Sequence, residues 1–197
     1  MATMHGPRFK QSRSLGLNVC GHPKAMKRAK PGTSRADKKL STYGTQLLEK
    51  QRLRAYYGVL EKQFKRYVLT AQKRPGQTGE ELVKILETRI DNLVYRMGLA
   101  TSIRQARQMV VHGHVRLNGL KVDIPSHPVN PGDTLALSEK SRSTTLFTDN
   151  FNQNALTQYP YISKDVDDYA ATLTRLPERH EIPIEINDHL IVEYYSR

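Results

Sequence analysis

Tryptophan is absent from this 197-residue chain, which also has only four phenylalanines and one cysteine, Cys20. A single thiol excludes an internal disulfide framework and fits a reducing compartment. So few large aromatic side chains limit the core to a modest one, and the length suits one or two domains. No apolar run approaches the roughly 20 residues that a membrane-spanning helix requires. The N-terminus is basic but lacks the apolar stretch and cleavage pattern of a secretory signal, so the expected location is the cytoplasm, with no membrane partner. A Gly-rich phosphate loop, a nucleophile elbow and a serine–histidine–acid set are missing too. No active site is legible, and the chain is not expected to be an enzyme.

Acidic residues are scarce where basic ones crowd. The chain carries 31 Lys/Arg against 19 Asp/Glu, a formal net charge of +12. Residues 1–75 hold 18 Lys/Arg against 3 Asp/Glu, residues 76–148 hold 9 against 7, and residues 149–197 hold 4 against 9. Self-repulsion on this scale points to a polyanionic partner whose electrostatic footprint lies in the first third. The acidic last quarter would be repelled by phosphate; it suits a protein contact, or folding back on the basic part.

The most informative stretch runs from Ser102 to Asp123. Ser102 with Gln105 makes a capping-box start, and Ile103, Ala106, Met109 and Val110 recur at helical spacing. Gly113 stands where a helix leaves through a left-handed residue. Val115 and Leu117 alternate with polar neighbours, and Asn118-Gly119 is a strong hairpin signal. The unit would hold Arg104 and Arg107 on one helix face, with His114, Arg116 and Lys121 on the adjoining hairpin. Arginine suits such a face, because its planar fork bridges two phosphate oxygens. A solvated face is the plainer reading of two such arginines; if they meet phosphate, the contacts position the protein without reading sequence, so recognition of polyanion shape is expected.

Elsewhere, residues 1–42 read as a basic arm that need not fold alone and orders on RNA. Tyr43 to Tyr57 predicts a helix ended by Gly58, with Leu47, Leu48, Gln51 and Ala55 inward and Lys50, Arg52 and Arg54 outward. Glu61 to Lys73 predicts a second, with Phe64, Tyr67, Val68 and Ala71 on one side and Pro75-Gly76 as its stop. A capping box at Thr78 opens a longer helix running through Met97, burying Leu82, Ile85, Leu86, Leu93 and Val94. Pro131-Gly132-Asp133 is a turn launching a strand from Thr134 to Leu137. Residues 144–172 give no clear pattern. Alternation at Ile182, Ile184 and Ile186, and in some of Leu190 to Tyr194, predicts two strands about an Asn187-Asp188 turn. The expected division is 1–42 arm, 43–88 helical body, 89–150 small domain carrying the helix–hairpin unit, and 151–197 acidic C-terminal segment with short strands.

The run Arg89-Ile-Asp-Asn-Leu-Val-Tyr-Arg-Met-Gly98, followed by Ser102 to Gly119, resembles the small RNA-binding domain named after small-subunit ribosomal protein S-four. Tyr43-Gly44, Glu49-Lys50-Gln51, Leu53-Arg54 and Tyr57-Gly58, with Val192 to Arg197, are similar to the bacterial-type ribosomal S-four family itself. The likeness runs from about His5 to Arg197 and is weakest over 144–172. It implies an α+β fold: a mainly helical N-terminal body, an inserted RNA-binding domain of helices and antiparallel hairpin or sheet, and a C-terminal segment returning to the body. It also implies a structural constituent of the small ribosomal subunit. Such a protein would bind 16S ribosomal RNA early, organise a helix junction in its 5′ domain and contribute to decoding accuracy. The partners implied are that RNA, the neighbouring subunit proteins numbered three and five, and messenger RNA where it enters the subunit. The alternative is a specialised paralogue or a free-standing RNA-binding regulator of translation.

The candidate RNA contacts are therefore Arg8, Lys10, Arg13, Lys24, Lys27, Arg28, Lys30, Lys38 and Lys39 in the arm, and Tyr43, Lys50, Arg52 and Arg54 on the first body helix. In the domain they are Ser102, Arg104, Gln105, Arg107, His114, Arg116, Asn118 and Lys121. Among the tyrosines, Tyr56 and Tyr67 read as core and Tyr43 as a base-stacking residue. Cys20-Gly21-His22, with His5, falls short of a four-ligand zinc set, and the chain resembles the zinc-free branch of the family. His112 and His114 lack a carboxylate or thiol that would complete a metal site, so neither metal nor cofactor is expected. RNA-modifying pseudouridine synthases carry the same domain, and Arg89-Ile-Asp91 echoes their catalytic segment. Here Asp91 falls inside an amphipathic helix and no large sheet-forming catalytic domain follows. The acidic run Asp165, Asp167, Asp168 reads as a solvated turn.

Overall fold

The structure is a computed structural model that describes residues 6–153 and 159–196. The chain divides into two compact units, Met1–Leu82 with Ile184–Arg197, and Val83–Pro183. No described helix is long and apolar enough to cross a membrane.

In the first unit, helix α1 (Arg8–Leu15) ends at Gly16, which takes the left-handed φ of 64° that closes a helix. Helix α2 (Thr42–Tyr56) starts at Ser41, whose side chain accepts from Gly44 N–H at 3.2 Å. Helix α3 (Glu61–Ala71) buries Phe64, Val68 and Ala71 at the expected spacing. Parts of the arm pack on the body. Leu15 and Val19 pack with Leu48 of α2, and Ala25 is fully buried. Turn hydrogen bonds and the Ser34–Asp37 reciprocal pair tie the intervening loop.

The last helix corrects the strand expectation for the C-terminus. Asn187 does not turn a hairpin: its Oδ1 accepts from the N–H groups of His189 and Leu190, which starts a helix at Asp188. Asparagine favours caps and turns for the same reason, its short acceptor, so the two readings compete for one signal. The chain runs through Ile182, Ile184 and Ile186 without a ladder, then forms Asp188–Tyr195, which packs against α2. The C-terminal segment thus returns to the helical body.

The second unit begins within helix α4 (Thr78–Glu87), and the single helix expected through Met97 is in fact two. Arg89 is extended (φ −70°, ψ 142°), and α5 (Ile90–Arg96) starts afresh. Tertiary bonds enforce the break: Ile90 N–H donates to His127 O, Asp91 N–H to Pro125 O, and Val129 N–H to Thr88 O. Helix α6 (Ile103–Val111) follows, burying Ala106, Met109 and Val110.

A five-stranded antiparallel sheet completes the unit: β1 (Val115–Leu117), β2 (Leu120–Lys121), β3 (Thr134–Leu137), β4 (Ile162–Asp165) and β5 (Ala170–Leu173), in the order β2-β1-β3-β5-β4. The unpatterned 144–172 stretch therefore holds helix α8 (Thr145–Gln153), which follows the short α7 (Glu139–Arg142), and most of the β4–β5 hairpin. Its residues 154–158 lie outside the described ones. Short strands do occur past residue 151, but at β4 and β5 instead of near the end. One core joins α5, α6, the sheet and α8, through Leu93, Met97, Met109, Leu135, Phe151 and Tyr161 among others.

Candidate nucleic-acid interface

The helix–hairpin unit of residues 102–121 forms as its sequence predicts, and its details show which side chains it holds out. Ser102 Oγ accepts from Gln105 N–H at 3.3 Å. The Gln105 side chain returns one residue earlier than a standard capping box, accepting from Thr101 N–H at 2.9 Å and Thr101 Oγ1 at 2.8 Å. Both candidates are thus engaged in starting α6. Gly113 takes φ 75°, and a Cβ there would lie 2.5 Å from Lys121 Cε, so the Lys121 stem occupies the space a side chain would fill. Asn118 (φ 49°) and Gly119 (φ 80°) make the two-residue turn. Asn118 reaches across to β3, donating to Asp133 Oδ1 at 2.8 Å and accepting from Thr134 N–H at 2.9 Å. Arg116 Nη1 donates to Gly119 O at 3.0 Å. Arg116 and Lys121 pair across β1–β2, and both are exposed.

Arg104 and Arg107 do not form one solvated pair. Arg104 is exposed, whereas Arg107 turns inward, donating from Nε and Nη2 to Asp91 Oδ2 at 3.0 and 2.7 Å. Asp91 is fully buried and also holds Arg89. A carboxylate so buried is stabilised only by such partners. Glu87, at the end of α4, has the same role: it takes the Arg96 guanidinium and, at 2.8 Å, the Tyr161 hydroxyl. Burial, reinforced by Glu87, holds the Tyr161 phenol above the ordinary tyrosine range. Sequence reasoning missed both carboxylates, because an acid at helical spacing reads as a surface residue. Their one signal was that Arg89 and Arg96 share a short segment with them that also holds Ile90, Leu93 and Val94.

His114 is half-buried, not held out. Its Nδ1 lies 2.8 Å from Ser141 Oγ and its ring 5.1 Å from that of Phe147. Burial first, and then the charge of His112, keep its pKa below the usual imidazole value.

In the first unit, Lys10, Lys24, Lys27, Arg28, Lys30, Lys38 and Lys39 are exposed, with Arg8 and Arg13 partly covered. Arg8 lies over the Phe9 ring, and Arg13 donates to Ala25 O. The outward reading of the α2 cations is corrected. Lys50 is 4% exposed, donates to Glu61 Oε1 at 2.7 Å and sits 4.5 Å from the Tyr194 ring centroid. Arg52 bonds Glu49 at 2.6 Å and Leu15 O at 2.9 Å, and Arg54 bonds Glu61 at 3.0 Å. The returning C-terminal helix supplies the reason: Tyr195 donates to the same Glu61 at 2.8 Å, and Gln46 to Glu193 at 2.8 Å. Burial raises the Glu61 carboxyl, but the bonds from Lys50 and Tyr195 outweigh it and leave its pKa low. Tyr43 is exposed, its ring 5.7 Å from that of Tyr194. Tyr57, not Tyr56 or Tyr67, is the fully buried tyrosine of this region; those two are half-buried.

Among the described residues no three His, Cys, Asp or Glu side chains gather as a metal site. Cys20 Sγ lies 3.5 Å from Asn18 Oδ1. His5, the upstream member of the weighed zinc set, lies outside the described residues. Asp165, Asp167 and Asp168 are exposed at the β4–β5 turn, where Asp168 N–H donates to Asp165 Oδ1.

Comparison with known families matches residues 3–87 to the ribosomal protein S4/S9 N-terminal domain and residues 88–135 to the S4 domain. Over its whole length the chain is 62% identical to the small ribosomal subunit protein uS4 of Finegoldia magna, itself covered completely. It is 49% identical to uS4B of Clostridium acetobutylicum and 47% identical to uS4 of Geobacillus stearothermophilus, again across the full length of both chains.

Proposed function

The chain belongs to the ribosomal protein S4 family, and from that premise we propose that it is a structural constituent of the small ribosomal subunit. It binds 16S ribosomal RNA as a primary assembly protein, organises a helix junction in the 5′ domain and contributes to decoding accuracy. Its role is architectural, not catalytic. Its place is the ribosome in the cytoplasm, beside the proteins numbered three and five and the incoming messenger RNA. The observation that carries this reading is the full-length identity to uS4 proteins, with no segment of the chain left over.

The arm, 1–42, and body, 43–88, supply most of the attraction, since counterion release from several phosphates scales with the cations engaged. The small domain, 89–150, positions: a rigid helix and hairpin offer Arg104, Arg116 and Lys121 to a backbone of fixed shape. The acidic segment, 151–197, faces protein. Arg107 takes part as a guanidinium pinned by Asp91, so its orientation is set before RNA arrives. Ser102, Gln105, His114 and Asn118 serve that surface by building it.

Sedimentation of a cell extract through a sucrose gradient at physiological salt tests the assignment. The chain is expected with the small subunit and with 70S particles. Confinement to the slow, ribosome-free fractions would contradict it and favour a free-standing regulatory factor.

A further inference from the structure

We propose that Leu120 is an apolar RNA contact: it packs against an exposed base or ribose while Arg116 and Lys121 hold the adjoining phosphates. The proposal rests on the rRNA-binding reading above and adds a residue to which charge does not point. At 73% exposure, Leu120 is the most exposed of the large hydrophobic side chains on the described surface. A lone exposed leucine is ordinary. Three features set this one apart.

The first is rigidity. The Asn118-Gly119 turn is tied to β3 by the Asn118 bonds to Asp133 and Thr134, and its carbonyl at Gly119 is held by Arg116. A contact made from a fixed tip loses little ordering entropy on binding.

The second is register. Leu117 faces Leu120 and Arg116 faces Lys121 across the two strands. Side chains alternate between the faces of a sheet, so Leu120 lies on the face of Leu117 and the two cations lie on the other. β2 is an outermost strand of the sheet, bonded only to β1. An apolar knob and a cationic pair therefore straddle one sheet edge. A nucleotide chain laid along that edge has complementary features for both: charged phosphates on one side, an apolar base or sugar face on the other. Apolar side chains engage bases in this way on other nucleic-acid surfaces, and base faces accept them without regard to sequence.

The third is the surroundings. Residues 101–122 include four Lys/Arg and no Asp/Glu. A Cβ placed on Gly119 would meet nothing within 4 Å, so a bulky backbone can approach the turn closely. Cations that outnumber the two acids near the turn, Asp123 and Asp133, around an apolar point suit a polyanion that also has apolar faces, which describes RNA.

Salt separates this contact from its neighbours, because burying a leucine releases no counterion. The test uses the full chain and a transcript of the 16S 5′ domain over a series of KCl concentrations. Leu120→Ser is expected to weaken binding about five- to tenfold at every salt concentration and leave the log–log slope at the wild-type value. Leu120→Met should stay within about twofold of wild type. Arg116→Ala should instead lower the slope by roughly one unit. An unchanged affinity for Leu120→Ser, as expected if a protein covers the residue, would overturn the proposal. So would a loss that comes with a changed slope. Failure of the wild-type chain to bind this RNA would bring down the underlying assignment as well, and is distinguished from the former cases by that wild-type control. Thermal melting of Leu120→Ser at the wild-type temperature confirms that the fold is intact, as its exposure requires.

Discussion

Arg107 and Asp91, sixteen residues apart in sequence, meet in a two-bond contact of 3.0 and 2.7 Å that ties helix α6 to helix α5. The carboxylate also takes two bonds from Arg89, at 3.0 and 2.7 Å. One fully buried acid thus neutralises some of the charge of two guanidinium groups. Replacing it by asparagine leaves Arg89 buried beside a neutral amide, the costly way to break an ion pair. Asp91→Asn is expected to lose about 3–5 kcal/mol of unfolding free energy. Arg107→Ala should lose much less, on the order of 1 kcal/mol, because Asp91 keeps Arg89 and Arg107 is nearer solvent. Urea denaturation of both variants measures the difference, and equal losses would contradict the clamp.

Gly113 is required by its backbone more than by its crowding. Its φ of 75° strains any L side chain by about 1–2 kcal/mol. The Cβ clash at 2.5 Å falls on the far end of a flexible lysine, which can swing away. Gly113→Ala should therefore cost about the same in a Lys121→Ala background as in the wild type, on the order of 1–2 kcal/mol. Disappearance of the cost in that background would mean that the lysine contact dominates.

Acid should weaken the second unit through Glu181. Hydrogen bonding from Arg175 brings its carboxyl down to about 2 from an ordinary 4.5, against the opposing effect of burial. A carboxylate with a depressed folded-state pKa stabilises fully above the unfolded value, and that contribution is lost as pH falls through the folded one. The window is thus pH 4.5 down to about 2. Glu181→Gln should flatten the decline of stability across it, as followed by denaturation midpoints at stepped pH. Parallel wild-type and variant curves would contradict the pairing.

Lys50 provides a contrast between charge that is counted and charge that is presented. It is buried under Glu61 and the Tyr194 ring, so Lys50→Met should leave the salt dependence of RNA binding unchanged while loosening the C-terminal helix. Replacing the exposed Lys27 and Arg28 together by alanine should lower the slope by about two units, one per phosphate contact. A reduced slope for Lys50→Met would return that residue to the RNA-facing set.

The helix–hairpin unit was legible because its rules are local. A serine cap, a glycine exit and an Asn-Gly turn each act over a few neighbouring residues. What escaped the sequence was decided over longer distances. The break between α4 and α5 depends on hydrogen bonds made with residues 125–129, which helical periodicity does not reveal. Lys50 and Arg54 looked solvated because Glu61 and the Tyr195 that caps it arrive from other helices. Asn187 carried a real signal, but one that turns and caps share. The arm lacked apolar periodicity, and its few anchors, Leu15, Val19 and Ala25, find their partners through turns instead of a repeat. Of the candidate site, the exposed cations were readable from charge, whereas the acids that aim or sequester the others were not.

Binding of the full chain to the 16S 5′-domain transcript, set against an unrelated RNA of equal length over a KCl series, tests the central claim most directly. The account predicts a preference for the 5′ domain that persists as salt rises, superimposed on a steep linear fall of log affinity with log salt. Equal affinity for both RNAs at every salt concentration would contradict it, leaving only a basic protein that coats any polyanion.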